Sequence, residues 1–409
     1  MRAVPEEIVG RILRLVGYGV FETAFDEEAL TATLWIRQVA KDPFLTCSGC
    51  GIGVRTVHDV HERRVRDLPW GAWKVFLVVE VHRIRCRRCG VKVERLEFLE
   101  GKHPYTRRYG EAVARDCEDT AVTRVANKWS LSAQTVRRID KRSLAAWSAR
   151  RKRTPLRQMG VDELFWRKGK CLTIVSDLEL GEPIWAGPER KRETLDRFFA
   201  ERFPPRRRRA VRAVCIDMCA PFVASIRDHL PKAAIIFDKF HVMRHVNDAV
   251  DETRRQEFFR RKGPWRALMR GKRWLLLTRW RNLSHNKKTQ LQVALSLNRR
   301  LFKAYYLKEQ LERLWSYTYE GAATRFLGDW LLSLRWQRLP AFKKLAHTIL
   351  RHLDGILAYC KHKVPFGMVE AINGNLRSLI RRGRGYRDHE YLILKAQKST
   401  VQARLARAA

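Results

Sequence analysis

The sequence predicts an α+β protein of several domains. Three observations predict it: two C-x-x-C-G pairs bracket a β-forming run, a helical stretch ends in basic residues before Pro155, and from residue 157 strand-like segments give way to helices. At 409 residues, 45% hydrophobic and 10% aromatic, the chain can bury two or three sizeable cores. Its charge is the unusual quantity. With 83 Lys plus Arg against 43 Asp plus Glu, the formal charge is +40, which repels itself unless a polyanion neutralises it. Nucleic acid is the partner this favours. No apolar run approaches the roughly 18 residues of a membrane span, and MRAVPEEIVGRILRLVG mixes acids and arginines among its apolar positions, so the expectation is a soluble, unexported protein with no membrane partner. Nine cysteines are an odd number with four in two tight pairs, which suits metal binding in a reducing compartment better than a disulfide framework.

Residues 1–40 read as a lead-in with some helical character (Ile8, Ile12, Leu15) and no motif. Residues 41–100 read as a zinc ribbon. CSGCG (Cys47 to Gly51) and CRRCG (Cys86 to Gly90) each present two thiolates from one turn, with glycine letting the backbone fold under the metal, and Cys47, Cys50, Cys86 and Cys89 together make a tetrahedral site for one Zn²⁺. The run WKVFLVVEVHRIR between the pairs is β-forming, so the two turns fall at one end of a hairpin. Four protein ligands leave no position for water, so the zinc is structural, and His58 and His61 are expected on the surface rather than on the metal. Residues 101–150 read as a helix-turn-helix. TAVTRVANKWSLSAQTVRRI sets Ala126, Leu131, Val136 and Ile139 at the core spacing of that motif, with Ser132 capping the second helix and Gln134, Thr135, Arg137 and Arg138 free to reach base edges or phosphates. Ser130 stands where the turn usually carries glycine.

After the basic run Arg150 to Arg153, three consecutive strands are expected: RQMGVDELFW, CLTIVSDLEL and GEPIWAG. A helix over about 192–203, the strand AVRAVCID, a helix from Pro221 and the strand AAIIFD follow. In an RNase H-like sheet of this order the first and fourth strands lie side by side, so Asp162 and Asp217 can meet at its edge. From about 242 to 360 the chain reads as helical and rich in Arg, Leu and Trp; Trp265, Trp274, Trp280, Trp315, Trp330 and Trp336 there suit helix packing better than stacking on unpaired bases.

A third acid would complete a site for two divalent ions, Mg²⁺ or Mn²⁺, which prefer hard oxygen ligands and serve phosphodiester cleavage. Glu370 is the best third acid. It is the single acid of GMVEAINGNLRSLIRRGRGYR, a helical segment whose Arg377, Arg381, Arg382, Arg384 and Arg387 can hold DNA phosphates. Asp177 reads as a strand-end or turn residue, and Glu163 points to the face opposite Asp162. Asp238 rivals Asp217; with His241 three residues on, it can instead brace the site.

Taken jointly, these residues resemble the DDE transposases of the ISL-type ("ISL three") insertion sequences. The resemblance runs from about Cys47 to Tyr391 and is carried by the paired knuckles, RRVRDLPWGAWKV between them, GVDELFWRKG, IVSDLELGEPI, CIDMCAPFVASIRDHLPKAAIIFDKFHVMRHVNDAVDETRR, AYYLKEQLERLW and VEAINGNLRSLIRRGRGYRDHEYLILK. It implies Asp162, Asp217 and Glu370 as the metal-binding triad, DKFH with Asp238 and His241 as an accessory signature, and residues 242–360 as a helical insertion that divides the RNase H-like domain into 155–241 and 361–409. Cys219 departs from the aromatic residue such proteins often carry after DM. The implied activity is cleavage and joining of DNA at an element's terminal inverted repeats, by a homodimer or larger assembly on double-stranded DNA in the bacterial cytoplasm and nucleoid. Rival readings are a DNA-binding regulator with a disused catalytic fold, and a structure-selective nuclease or resolvase.

Overall fold

The computed structural model describes residues 15–39, 44–152, 154–167, 169–260 and 263–408, together with Val9 and Leu13. Ile8, Ile12 and Arg153, which figure in the sequence reading, lie outside the described residues. Two compact units divide the chain, Met1–Arg151 and Lys152–Ala409.

The first unit is built on a sheet of β1 (Tyr18–Asp26), β2 (Thr31–Gln38), β5 (Val57–Arg66), β6 (Lys74–Cys86) and β7 (Gly90–Val93), in the order β1-β2-β6-β5 with β7 also on β6. Strand alternation sends Ala32, Leu34 and Ile36 of β2 and Val75, Leu77, Val79 and Val81 of β6 into one core. Residues 18–38 are therefore strands and not a helical lead-in; β2 lies parallel to β6, a pairing that links distant segments. The short strands β3 (Leu45–Thr46) and β4 (Gly53–Val54) form their own hairpin. Three helices follow: α1 (Arg107–Asp119), α2 (Val122–Trp129) and α3 (Ala133–Arg150). Ala126, Val136 and Ile139 are buried in one cluster with Tyr109, Val113 and Trp129, and Leu131 packs against it. Thr106 and Arg108 at the start of α1 clasp the buried Asp67 after β5, Thr106 Oγ1 donating at 2.6 Å and Arg108 Nε at 2.8 Å, which ties the helices to the sheet.

The second unit has a five-stranded sheet in the order β10-β9-β8-β11-β12, from β8 (Gln158–Arg167), β9 (Lys170–Asp177), β10 (Glu182–Pro188), β11 (Ala213–Ile216) and β12 (Ala234–Phe237). The first three strands are antiparallel neighbours, while β11 pairs in parallel with both β8 and β12. The first and fourth strands of the unit are thus adjacent. Alternation divides the side chains between two faces. Met159, Val161, Val214 and Ile216 enter a large core with α4 (Arg192–Glu201), α5 (Ala220–His229), α6 (Lys239–Arg260) and the helices of the 264–361 region. Leu164, Leu172 and Ile174 face α7 (Phe366–Arg382) and α8 (His389–Ala408) through Ile372, Leu376, Leu379, Leu392 and Ile393. Gly160 lets α7 seat closely, since a Cβ there would lie 2.7 Å from Leu178 Cδ2 and 3.3 Å from Val369 Cγ2.

The tryptophans of the helical region divide by environment. Trp315 and Trp330 are core residues, Trp280 is half-buried, and Trp274 and Trp336 are 70% and 76% exposed. The side chain of Trp265 lies outside the described residues. No described helix is long and apolar enough to cross a membrane.

Candidate metal centres and nucleic-acid surfaces

The four predicted zinc ligands come together. Cys47 and Cys50 stand on the β3–β4 turn, Cys86 ends β6 and Cys89 precedes β7, and one sulfur from each lies within 4.8 Å of the others. Cys50 Sγ and Cys86 Sγ are 3.6 Å apart, close to the about 3.8 Å between ligands of a tetrahedron with metal–sulfur bonds of about 2.3 Å. Gly51 and Gly90 take φ of +77° and +71°, the left-handed conformation for which glycine is suited, and so turn the chain under the sulfurs. Gly49 is needed for space: a Cβ there would lie 3.0 Å from Cys89 Sγ. Backbone N–H groups of Arg88 and Cys89 pull the Cys86 thiol down to about 7, whereas the neighbouring Cys50 pushes Cys89 up to about 12. Four thiols this close cannot all ionise against one another without a cation between them, so the donor set fits Zn²⁺. His58 instead pairs with Asp59, Nδ1 to Oδ2 at 2.9 Å.

At the sheet of the second unit, three aspartates come near one another. Cys215 pairs with Gly160 on one side and with Ile236 on the other. Asp217 and Asp238 follow directly after β11 and β12, and Asp162 stands two residues beyond Gly160 on β8. Asp217 and Asp238 are buried, and Asp162 is half-buried. Burial pushes the Asp162 carboxyl up, assisted by the charges of Asp238 and Asp217 and opposed by a backbone N–H and by His241. His241 Nδ1 lies 3.7 Å from Asp238 Oδ2. Burial acts to lower the His241 pKa, but Asp238, Asp162 and Asp217 outweigh it and the net direction is up. Asp238 also accepts from the N–H of Phe240 at 2.8 Å, at the start of α6. Asp177 caps a turn, its Oδ1 accepting from the N–H groups of Glu179 and Leu180, both at 3.0 Å.

Glu370 stands exposed in the first half of α7. It does not join Asp162 and Asp217 in one cluster: among the described residues, the acidic group with ligand atoms within 4.8 Å is Glu163, Asp217 and Cys219. One helical turn beyond Glu370, however, Asn373 Nδ2 donates to Asp162 Oδ2 at 2.6 Å. The helix carrying Glu370 is therefore bonded directly to Asp162.

Two residues of this site were not reached from the sequence. Arg190, on the turn after β10, pairs through Nε with Glu163 and through Nη2 with Asp217 Oδ2 at 2.6 Å. Glu163 starts on the opposite face from Asp162, yet its carboxylate comes within 4.8 Å of that of Asp217. Burial pushes Glu163 up to about 7, with Arg190 opposing and Asp217 and Asp162 adding. The other missed residue is Asn373, whose signal was its place three residues after Glu370, one turn on along the same helix.

The predicted DNA-binding residues fall on two surfaces. Ser132 caps α3, its Oγ accepting from the N–H of Thr135 at 3.1 Å, and the two hydroxyls lie 2.9 Å apart. Gln134, Arg137 and Arg138 are exposed on the first turns of α3. Ser130, between α2 and α3, has φ 47° and ψ 52°, so the left-handed place that favours glycine is present although the glycine is not. On α7 and after it, Arg377, Arg381, Arg384 and Arg387 are exposed and Arg382 is half-buried.

Comparison with known proteins matches two stretches of the chain. The ISL3 family model described as "Transposase" matches residues 159–396, and the "zinc-finger of transposase IS204/IS1001/IS1096/IS1165" matches residues 44–89. The chain is 33% identical over 385 residues to the transposase for insertion sequence element IS1001 of Bordetella parapertussis, covering 93% of this chain and 94% of that one. It is 27% identical over 362 residues to the transposase for insertion sequence element IS1557 of Mycobacterium tuberculosis, covering 82% of this chain and 80% of that one.

Proposed function

This chain belongs to the ISL3 family of insertion-sequence transposases, and on that premise we propose that it binds its element's terminal inverted repeats and catalyses metal-dependent DNA cleavage and strand transfer. The observation that carries the reading is the gathering of Asp162, Asp217 and Asp238 near one another, with the helix of Glu370 bonded to Asp162 through Asn373. The strand order β10-β9-β8-β11-β12 supports an RNase H-like catalytic domain, with the helices of 242–360 as an insertion.

Asp162, Asp217 and Glu370 are the residues that would hold the divalent ions, each offering hard carboxylate oxygens. When bound, two Mg²⁺ or Mn²⁺ ions supply activation of the attacking oxygen and stabilisation of the leaving one. Asp238 and His241 brace the aspartates. Arg377, Arg381, Arg384 and Arg387 hold phosphates near the scissile bond, with Arg382 beside them, so that first water and then the freed 3′ hydroxyl attacks in line. No covalent enzyme intermediate is formed. Residues 41–100 serve as the zinc ribbon, and α2 and α3 serve as a helix-turn-helix with α3 in the major groove. Gln134, Arg137 and Arg138 read bases there, while Ser132 and Thr135 fix the helix start against the backbone. Cleavage proceeds in an assembly of two or more chains on DNA, in the cytoplasm and on the nucleoid.

The test uses labelled duplexes carrying the sequences that flank this chain's own coding region, incubated with protein and Mg²⁺. Nicks at the element end and joined products are expected; nicks without joined products would make the protein a nuclease. Asp162→Ala, Asp217→Ala and Glu370→Ala should each bind the duplex but fail to cut it. Full cleavage by Asp217→Ala with Asp238→Ala inactive would transfer the second ligand role to Asp238.

A further inference from the structure

We infer that Asn373 is a positioning residue of the cutting site, a hydrogen-bond donor that fixes one oxygen of Asp162 and thereby ties the helix of Glu370 to the metal-holding sheet edge. The inference rests on the reading of Asp162 as a metal ligand. Its geometry is specific. Asn373 is 3% exposed, and its Nδ2 donates to Asp162 Oδ2 at 2.6 Å across 211 positions of sequence. The orientation of the amide follows from chemistry, since an ionised carboxylate only accepts and the amide must present its nitrogen.

A packing role does not account for this residue. Its neighbours at the same helix face, Val369, Ile372, Leu376 and Leu379, are apolar and buried, and an apolar side chain at 373 would continue that stripe. Instead the protein buries an amide whose Oδ1 has no hydrogen-bond partner among the described residues. Leaving an acceptor unmet in an interior is unfavourable, so the donor on the other side of the group carries the reason for keeping it.

The hydrogen bond bears on the reaction in two ways. It uses one oxygen of Asp162, which restricts rotation of the carboxylate and would leave the other oxygen to hold an ion. It also holds the helix of Glu370 in place. Glu370 lies one turn earlier on that helix, which cannot slide along β8 without breaking the Asn373 bond.

The experiment compares the parent protein with Asn373→Leu, Asn373→Asp and Asp162→Ala, each checked for a cooperative melt, in Mg²⁺ titrations of cleavage on the flanking-sequence duplexes. Asp162→Ala tests the underlying reading by itself: if it cuts, the metal site lies elsewhere and that reading fails. With Asp162→Ala inactive, Asn373→Leu should need a roughly 10- to 100-fold higher Mg²⁺ concentration for half-maximal cleavage, while duplex binding stays at the parent level. Asn373→Asp keeps the size of the side chain but loses the amide donor, so its Mg²⁺ requirement should also depart from the parent's. A folded Asn373→Leu protein with the parent's Mg²⁺ requirement overturns the inference. So does a folded Asn373→Asp protein with the parent's requirement, and this second variant decides the matter if Asn373→Leu does not fold.

Discussion

Arg190 is bonded to Asp217, Nη2 to Oδ2 at 2.6 Å, and the same guanidinium pairs with Glu163. One cation thus separates two carboxylates that come within 4.8 Å of each other. The Glu163 carboxyl titrates at about 7 against an ordinary 4.5, chiefly through burial. A folded pKa above the unfolded one gives stability that is complete below about 4.5 and is lost as pH rises through about 7. In chelator, the melting temperature should therefore fall between those limits, by an amount worth roughly 3 kcal/mol or less. Glu163→Gln should flatten that fall. Calorimetry across the range checks it, and an unchanged slope would show that Glu163 is not the titrating group.

The zinc site gives a prediction that turns on space rather than on ligands. Gly49→Ala places a methyl group 3.0 Å from Cys89 Sγ and should splay the knuckle, lowering zinc affinity by roughly tenfold or more although all four cysteines remain. Metal analysis should give about one zinc per chain for the parent protein and none for a Cys86→Ser, Cys89→Ser double variant. Competition with a chromogenic chelator measures the Gly49→Ala effect.

At Ser130 the backbone is left-handed, a conformation that costs a residue with a Cβ about 1–2 kcal/mol. Ser130→Gly relieves that cost but gives the unfolded chain more freedom, so a net gain of about 0.5–1 kcal/mol is expected. The Arg66 hydrogen bond to the carbonyl of residue 130, at 3.3 Å, uses only backbone there and survives the change. Urea unfolding of the two proteins decides the sign.

The two basic surfaces should separate in a competition assay across several salt concentrations. Changing Gln134, Arg137 or Arg138 should reduce discrimination between element ends and random duplex by roughly 1–3 kcal/mol per well-read base. Neutralising Arg377, Arg381, Arg384 or Arg387 should weaken binding to all sequences alike and reduce the salt slope by about one for each phosphate left without its arginine. Sequence preference that follows the α7 arginines, with α3 changes silent, would reverse the proposed division of labour.

Local pattern makes much of this molecule legible from its residues alone. The cysteine spacing placed four sulfurs together because each pair is held by its own turn, and the expected strand order put the first and fourth strands of the second sheet side by side, as they are. Three features resisted. The pairing of β2 with β6 is parallel and non-local, so nothing within residues 18–38 announces its partner. The pairing of Arg190 with Glu163 and Asp217 depends on where a turn leaves one long side chain among many arginines. Asn373 is a single amide in a helix, and its meaning appears only when the carboxylate 211 residues away is placed beside it. Glu370 could be assigned to a helix from its spacing, yet its exposure and its separation from the aspartates are matters of side-chain placement that periodicity does not encode.

The order of the chain has a consequence for its synthesis. The sheet strands carrying Asp162 and Asp217 leave the ribosome well before α7 and α8, which cover them and include the last described residues, 366–408. Domains made first fold first, so the unit ending at Arg151 can be complete while the cutting site still lacks its final wall. On the proposed assignment, a polypeptide that stops between residues 151 and 366 can occupy DNA but cannot break it. Premature termination would then yield competitors of the enzyme rather than partial enzymes, so translation errors would restrain the element instead of damaging its host.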